Sequence, residues 1–448
     1  MALPTLAALT PSDVEVVLTD ENVEPIDFEE KIDLVGITGM TCVIPRSYEI
    51  ADEYRRRGIP VVMGGIHASM LPEEAISHCN SVVIGEAEEI WIQVVKDAHR
   101  NNLQKFYRAA NFPDLTNSPM PKWELLKNDK YCYFTVQAGR GCPYDCEFCS
   151  VKEFNGRHYR NKTVTNVVKE LELLQGLDSK KLIFFADDNL LAISEYAKEL
   201  CSAIEGLKIR SWMCQASINK LKDDRVVESL KKAGCKHIFV GFESITQKGI
   251  DIFNKNYVNN VAIYKSVIEK VHLNGIGIFG SFILGGDTDN ESIFEDTFNF
   301  IMENSIAFSM INILTLLPGT RLFKKLEKAE RIISRDWWKS NADWVCFRPR
   351  LMTSDQLQEG QIRLIKKVYS YKNMYKRLRK LWNLGIYLKP KTAKLFTFGR
   401  ALLSIKYFFD FNLPRRNFMF KSLWYCFKKT SITWILTALN YNQFANRK

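Results

Sequence analysis

The stretch Gly139-Arg-Gly-Cys-Pro-Tyr-Asp-Cys-Glu-Phe-Cys149 decides the expected fold, because it places three thiols within eight residues, directly after a strand-like apolar run. The thiols belong to Cys142, Cys146 and Cys149. Three thiolates at this spacing can bind three irons of a four-iron, four-sulfur cubane and leave the fourth iron without a protein ligand. Such an iron can chelate a small molecule and pass it an electron. The pattern therefore predicts a redox metal centre.

Two other readings of the cysteines stay open. A three-cysteine zinc site could be completed by Cys132 or His158, or a structural cluster could be closed by a fourth cysteine. The chain has 11 cysteines, an odd number scattered over 448 residues with this one tight cluster. This distribution is typical of metal or redox chemistry in a reducing cytosol rather than of disulfides.

Around the cysteines, strand-like runs alternate with helical runs, which predicts a partial (β/α)6 barrel of the TIM type over residues 133–330. The chemistry of such a barrel belongs at the carboxyl ends of its strands. The expected strands are 134–138, 182–186, 211–215, 237–241, 276–284 and 307–317, and the expected helices are 164–174, 195–204, 223–232, 261–274 and 292–303.

Residues 1–105 show a shorter βα alternation, which predicts an α/β domain with a Rossmann-like parallel sheet. The expected strands are 14–18, 34–38, 61–64 and 82–85, with helices at 47–57 and 88–100. The chain begins in a helix-like stretch, so we expect that an opening strand of this sheet is missing. Prolines at 113, 119 and 121 predict a linker over residues 106–132.

The C-terminal residues 331–448 predict a mainly helical extension. Thr353 and Gln356 match a capping box, opening a helix that runs toward Arg379. Trp434–Leu439 could be a helix or a strand. Residues 361–448 contain 20 Lys or Arg and one acid, Asp410, interleaved with aromatic residues. This composition suits a membrane surface or an anionic partner, although amphipathic helices with solvated outer faces would explain it equally.

The three-then-two cysteine spacing, with Phe148 before the last cysteine, resembles the radical S-adenosylmethionine superfamily. Further segments resembling that family follow in order at later strand ends: 185–189, 212–217, 240–244, 281–286 and 317–320. The resemblance implies that the cysteines hold a 4Fe-4S cluster. It also implies that S-adenosylmethionine contacts Phe148, Asp187, Asp188, Gln215, Ser217, Glu243 and Gly285. Taken singly, these segments could equally be solvated turns, an edge strand or ordinary strand-end glycines.

The N-terminal segments 35–40, 62–69 and 83–88 resemble the cobalamin-binding domain that precedes many radical enzymes. The resemblance implies cobalamin contacts at Thr38, Gly39, Gly64, Gly65, His67, Gly85 and Glu86. The Asp-x-His-x-x-Gly signature of that family, whose histidine ligates cobalt, is absent. We therefore interpret His67 as a hydrogen-bonding residue rather than a cobalt ligand, and a degenerate domain kept for packing is the alternative.

Residues 336–353, with Trp337, Trp338, Trp344 and Phe347, resemble the extension of hopanoid methylase-like, cobalamin-dependent radical methylases acting on polycyclic lipids. Their aromatic side chains could line a large apolar pocket or simply pack in a core.

The resemblance implies reductive cleavage of S-adenosylmethionine to a 5′-deoxyadenosyl radical, used for cobalamin-dependent methyl transfer to an unactivated carbon. The alternatives are radical rearrangement or oxidation without methyl transfer, and an inactive iron-sulfur or zinc protein. We assign no catalytic residue. The expected partners are a small-molecule or lipid-like substrate and an electron donor such as flavodoxin or ferredoxin, with no nucleic acid. The short apolar start and the absence of a long apolar run predict a cytoplasmic protein, with peripheral membrane contact through its basic tail.

Overall fold

The computed structural model describes residues 2–207 and 209–386. Two parallel sheets organise this part of the chain, one of four strands and one of six, with an antiparallel two-stranded hairpin between them. The predicted α/β class is thereby confirmed. No helix among the described residues is both long and apolar enough to cross a bilayer.

The N-terminal sheet has the order β1-β2-β3-β4 and is parallel throughout. Alternate residues of its short Val- and Ile-rich strands serve two small cores, with Val61 and Met63 in one and Val62 in the other. Its strands are β1 (Val35–Thr38), β2 (Val61–Gly64), β3 (Ser81–Ile84) and β4 (Phe106–Arg108), and its helices are α1 (Ala2–Leu9), α2 (Ile44–Arg56), α3 (Ile66–Met70), α4 (Pro72–Ala75) and α5 (Trp91–His99).

The second sheet has six parallel strands whose spatial order follows the chain, so it forms the predicted partial barrel. Its strands are β5 (Tyr133–Val136), β8 (Leu182–Phe185), β9 (Trp212–Ala216), β10 (Cys235–Glu243), β11 (Gly277–Leu284) and β12 (Phe308–Ile313). The hairpin strands β6 (Gly139–Arg140) and β7 (Arg160–Asn161) follow β5. The helices are α6 (Val151–Asn155), α7 (Val164–Asp178), α8 (Ser194–Glu205), α9 (Asp224–Lys232), α10 (Gln247–Ile252), α11 (Tyr264–Leu273), α12 (Ser292–Glu303) and α13 (Arg321–Lys328).

Local sequence signals fix where several barrel helices begin. The side chains of Thr163, Asp223, Thr246 and Thr320 each accept a backbone N–H hydrogen bond at a helix start. Such caps satisfy donors that the first helical turn leaves unpaired. The described residues also contain short 3-10 helices at Thr41–Val43, Leu115–Asn117, Trp123–Leu125, Asn128–Lys130, Ile218–Lys222, Val261–Ile263 and Trp337–Lys339.

The C-terminal extension packs on the barrel through α14 (Ser354–Val368) and α15 (Tyr371–Asn383), and shares its core. The predicted capping box of Thr353 and Gln356 is confirmed. The helix does not continue unbroken to Arg379, because the buried Tyr369 bonds to the backbone of Ser309 and the chain turns at Ser370. Trp434–Leu439 and the rest of the tail beyond residue 386 lie outside the described residues.

Two features of the N-terminal half differ from the prediction. No strand forms at 14–18, where Val14 and Val17 are 40% and 59% exposed, so their apolar pattern meets no core. Conversely, the first residues of the expected linker form β4, which pairs with β3. Its buried Tyr107 donates a hydrogen bond to Asp97. The strand depends on such contacts with other parts of the chain, and its three residues are too few to show a periodic pattern in the sequence.

Candidate active site

The cysteines lie on a loop that leaves the barrel at the carboxyl end of β5. The hairpin of β6 and β7 closes this loop at its base, with Arg140 opposite Arg160. Gly141 has a φ of +93°, and a side chain there would overlap the backbone carbonyl of His158. Only glycine therefore fits this position, and the loop is held tightly just before Cys142.

The three thiols form a donor set that fits a cluster. Burial raises the pKa of the Cys146 thiol to about 11 and that of Cys149 to about 12, and it also raises the pKa of Cys142. Because thiolates are the metal ligands, cluster assembly at neutral pH would release these protons. Cys132 and His158, the suggested zinc ligands, are exposed. Within residues 2–207 and 209–386 no three His, Cys, Asp or Glu side chains converge on a single-ion site.

Asp187 has a different setting from the one expected for a ligand-binding residue. Its carboxylate is fully buried and accepts three hydrogen bonds, from the backbone N–H of Ala138 at 3.0 Å, from the N–H of Gly139 at 2.5 Å and from the hydroxyl of Tyr159 at 2.7 Å. Burial raises its pKa to about 6. With these donors in place, Asp187 joins the chain between β5 and the cysteine loop to the segment that follows β8.

Asp188, Gln215 and Ser217 are partly exposed and lie at or just after the carboxyl ends of β8 and β9. The Gly141 N–H donates to Asp188 at 3.3 Å, and burial raises the pKa of this carboxyl. The amide of Asn189 donates to the Ser217 hydroxyl at 3.1 Å, so the predicted contact residue Ser217 is held by a neighbouring loop. Gln215 is half-buried. Asp188, Gln215 and Ser217 therefore remain available at the strand ends.

Glu243 ends β10 in an ion pair that the sequence did not predict. Lys255 donates to its Oε1 at 2.6 Å and to the carbonyl of Gly241 at 3.0 Å. Burial alone would lower the pKa of Lys255, but the Glu243 carboxylate together with the nearby Cys146 and Cys149 sulfurs outweighs it and raises the pKa, so the ammonium stays charged. A side chain at Gly241 would overlap Glu243. Glu243 itself has a φ of +61°, a strained conformation of the kind found at functional sites.

The other two predicted S-adenosylmethionine contacts are packed against apolar neighbours. Phe148 makes an edge-to-face contact with Phe253 at 5.3 Å. The Gly285 N–H donates to Asp289 at 3.0 Å, and its Cα faces Leu357 of α14. Gly285 is thus held against the C-terminal extension, whereas Phe148 stays beside the cysteines.

A cleft of about 290 Å³ lies between the carboxyl ends of the N-terminal strands and the base of the cysteine loop. Five of the seven predicted cobalamin contacts line it: Thr38, Gly64, Gly65, Gly85 and Glu86. A side chain placed at Gly85 would meet no other atom within 4 Å, so a ligand can approach the backbone closely there. This glycine-lined edge fits a cofactor held by backbone contacts.

Gly39 and His67 do not line the cleft. Gly39 packs against Ser47. His67 is completely buried in α3, bonds through Nε2 to Glu74 at 3.2 Å, and contacts Trp337 edge-on at 5.2 Å. Glu74 also accepts from the indole N–H of Trp337 at 2.9 Å. This geometry agrees with a hydrogen-bonding role for His67 and shows one tryptophan of the aromatic segment joining the extension to the N-terminal sheet.

Glu86 joins the N-terminal domain to the hairpin of β6 and β7. It accepts from Arg140 at 2.8 Å, from Arg160 and from the Asn155 amide at 3.2 Å, while Glu88 also pairs with Arg140. The predicted cobalamin contact is therefore an inter-domain anchor, and its carboxylate is already occupied by two guanidinium groups. The sequence could not show this pairing, because Glu86 and Arg140 are 54 positions apart.

The fold and site define a partial-barrel protein in which a loop with three thiols lies beside a Rossmann-like domain with a glycine-lined cleft. Three known families match the chain in succession: the B12 binding domain over residues 2–95, the Radical SAM superfamily over 136–301, and a domain of unknown function over 320–440.

Relatives and solved structures extend the match. Bacteriochlorophyllide d C-12(1)-methyltransferase of Chlorobaculum tepidum is 31% identical over 383 residues, 83% of this chain and 83% of that protein. Hopanoid C-2 methylase of Rhodopseudomonas palustris is 27% identical over 353 residues, 77% of this chain and 67% of that protein. The cobalamin-dependent S-adenosylmethionine radical enzyme OxsB, solved with aqua-cobalamin and S-adenosylmethionine, has the same fold, with a TM-score of 0.62 at 14% identity over 80% of this chain. This chain spans 62% of the OxsB chain, less than two thirds.

The protein belongs to the radical S-adenosylmethionine superfamily, in the class with an N-terminal B12-binding domain. The prediction of a radical S-adenosylmethionine enzyme is confirmed, and its cofactors are a 4Fe-4S cluster, S-adenosylmethionine and cobalamin.

Proposed function

We propose that the protein transfers a methyl group, with the help of cobalamin, to an unactivated carbon of a rigid, ring-rich, largely apolar substrate. One observation carries the proposal: Gln137, Arg140 and Asn155, from the segment that contains the cysteines, also line the N-terminal cleft. Two cofactor sites with a common wall suit a reaction in which both cofactors act on one substrate. When bound, the cluster supplies the electron that cleaves S-adenosylmethionine to methionine and a 5′-deoxyadenosyl radical, and cobalamin supplies the methyl group.

We assign one cofactor site to each of the two parallel sheets. We assign cobalamin to residues 1–105, joined by the segment 106–132 to the barrel at 133–330. In the barrel Cys142, Cys146 and Cys149 hold the cluster. Asp187 already accepts three hydrogen bonds, so we assign the ligand's amino group to Asp188, the neighbouring, partly exposed carboxylate that accepts only one.

We assign the methionine carboxylate of S-adenosylmethionine to Lys255. Its charged ammonium lies within 6.0 Å of the Phe148 ring, next to Cys149, and Glu243 holds it in place. The second carboxylate oxygen of Glu243 is left for the ribose hydroxyls. Lys255 has no sequence signal of its own, since it lies in a polar loop 12 residues beyond Glu243.

Lys255→Met should weaken S-adenosylmethionine binding about 10- to 100-fold, because a hydrogen bond to a charged group contributes about 1.5–3 kcal/mol. Lys255→Arg keeps the charge and should retain most of the affinity. The double variant Lys255→Met/Glu243→Gln removes the buried unpaired carboxylate, so it should regain stability but not affinity. Equilibrium binding measures the affinity for S-adenosylmethionine, and thermal melts measure the stability. An unchanged affinity in Lys255→Met would refute the assignment.

The substrate class rests on the relatives. A bacteriochlorophyllide and a hopanoid are both ring-rich and largely apolar, and the two relatives named for them resemble this chain over most of its length. Trp338 and Trp344, about half exposed, offer aromatic surface near the extension. Incubation of the loaded protein with each compound should yield a product heavier by one methylene in mass spectrometry. A product that has lost hydrogen without gaining carbon would instead favour radical oxidation.

We further propose that the basic, aromatic-rich tail contacts anionic membranes, where an apolar substrate would be found. Because α14 and α15 pack in the barrel core, the informative truncation removes only residues 387–448. The full chain should float with anionic vesicles and the truncated chain should not. Equal flotation of both would remove this proposal.

A further inference from the structure

One face of α13 is entirely basic. Arg321, Lys324, Lys325 and Lys328 recur at the spacing that aligns residues on one side of a helix, and all four are exposed. Leu322, Phe323 and Leu326 occupy the opposite side and are buried. The helix is therefore fixed in the core by its apolar side, and its cationic side faces solvent.

This basic face adjoins the outer surface of the cysteine loop. Arg321 donates to the backbone carbonyl of Asp145 at 2.5 Å, and Lys325 lies 3.4 Å from the Glu147 carboxylate. The backbone N–H of Leu322 donates to the Glu147 carbonyl at 3.0 Å. Asp145 and Glu147 flank Cys146 in the sequence. The start of α13 is thus in direct contact with the loop that carries the cluster ligands.

Positive charge is in excess on this surface. Asp145 alone pairs with three cations, Lys152 at 2.9 Å, Arg157 at 2.5 Å and Arg321 at 3.2 Å. Lys324 and Lys328 have no acidic partner among the residues that the structure describes. We name these six basic residues the loop-side basic surface: Lys152, Arg157, Arg321, Lys324, Lys325 and Lys328. Arg140 and Asn155, at the base of the same loop, line the N-terminal cleft, whereas none of these six basic residues lines it.

We propose that the loop-side basic surface is the docking site of a small acidic electron-carrier protein that holds a flavin or an iron-sulfur group. The inference rests on the proposed function, which consumes one electron for each cleavage of S-adenosylmethionine: the carrier is oxidised by one electron and the cluster site is reduced by one. Charge complementarity steers association and raises the on-rate at low salt. Contact at this surface would place the carrier against the loop that contains the cysteines, since Arg321, Leu322 and Lys325 touch its residues Asp145 and Glu147.

The test compares two charge reversals in the full chain with its cluster reconstituted. Lys324→Glu/Lys328→Glu changes the loop-side basic surface without touching the loop. Lys231→Glu/Lys232→Glu makes the same change on exposed residues at the end of α9, just before the amino end of β10, whereas the cysteine loop follows the carboxyl end of the parallel strand β5. Stopped-flow bleaching of the cluster absorbance is recorded with reduced flavodoxin and, separately, with reduced methyl viologen, a small cation that needs no docking surface.

The α13 variant should be reduced by flavodoxin about 10- to 100-fold more slowly than wild type at low ionic strength, with the difference shrinking as salt is added. The α9 variant should match wild type, and methyl viologen should reduce all three proteins alike. Equal rates of reduction by flavodoxin in both variants would overturn the docking site. It would also be overturned if the α13 variant no longer floated with anionic vesicles but was still reduced by flavodoxin at the wild-type rate. A chain that assembles no reducible cluster even with methyl viologen would instead contradict the proposed function.

Discussion

Cys146→Ala should abolish both the iron-sulfur cluster and the cleavage of S-adenosylmethionine. Cys146 is the middle of three thiols on a loop fixed at its base by Gly141 and by the hairpin of β6 and β7. A cubane that loses one of three protein ligands has two open irons and is not retained. Iron and sulfide content, visible absorbance and 5′-deoxyadenosine formation should all fall to background.

Cys132→Ala is the matched control. Cys132 is exposed and precedes β5, outside the cysteine loop, so its replacement should leave cluster content and turnover at wild-type levels. If Cys146→Ala still cleaved S-adenosylmethionine, or if Cys132→Ala lost its cluster, the assignment of the three ligands would be wrong.

Asp187→Ala should destabilise the barrel and lower its cluster content. The substitution leaves the N–H groups of Ala138 and Gly139 and the hydroxyl of Tyr159 buried without an acceptor. Each unsatisfied buried donor costs about 1–3 kcal/mol, so the free energy of unfolding should fall by at least about 3 kcal/mol. Chemical denaturation measures the stability, and iron content after reconstitution reports the displaced loop.

Asp188→Asn separates a structural role from ligand binding, because Asp188 adjoins Asp187 but accepts one long hydrogen bond of 3.3 Å. This variant should keep its stability and cluster and lose affinity for S-adenosylmethionine. The reverse result, with weak binding in a stable Asp187 variant and a destabilised Asp188 variant, would return Asp187 to the ligand site.

Asp187 should also make the stability of the folded protein depend on pH. Burial raises its pKa from 3.8 in the unfolded reference to about 6 in the folded protein, so the folded state holds this proton more tightly. The corresponding stability is present below about pH 4 and is lost as the pH rises through about 6. Asp187→Asn cannot titrate, so its stability should fall less than that of wild type between pH 4 and 7. Denaturation at both pH values measures the difference, and equal losses would show that Asp187 is not the titrating group.

The sequence predicted the fold where periodicity and local chemistry act together. Runs such as Leu182–Phe185 and Gly277–Leu284 are apolar enough to be buried on a parallel sheet, and the Thr353 capping box specifies its helix start without tertiary help. The prediction failed where contacts between distant parts of the chain decide whether a strand forms. Val14 and Val17 show a strand-like pattern but meet no core, and the three residues of β4 depend on pairing with β3.

The site shows the same division. Cys142, Cys146 and Cys149 are identifiable because their spacing is local. Asp187 and Asp188 are adjacent in the sequence, and only the fold shows that one accepts three buried hydrogen bonds and the other a single one from Gly141. Glu86 and Lys255 acquire their partners over 54 and 12 positions, through a domain contact and a strand-end turn that no sequence motif records.

The most direct test of the account is anaerobic reconstitution of the cluster, followed by incubation with S-adenosylmethionine, a strong reductant, cobalamin and the candidate ring-rich substrates, with chromatography for two products. Cobalamin-dependent methyl transfer predicts both 5′-deoxyadenosine and S-adenosylhomocysteine, and predicts that omitting cobalamin suppresses the second. Deoxyadenosine alone, with a loaded cluster and cobalamin present, would contradict methyl transfer and leave a radical enzyme of another kind.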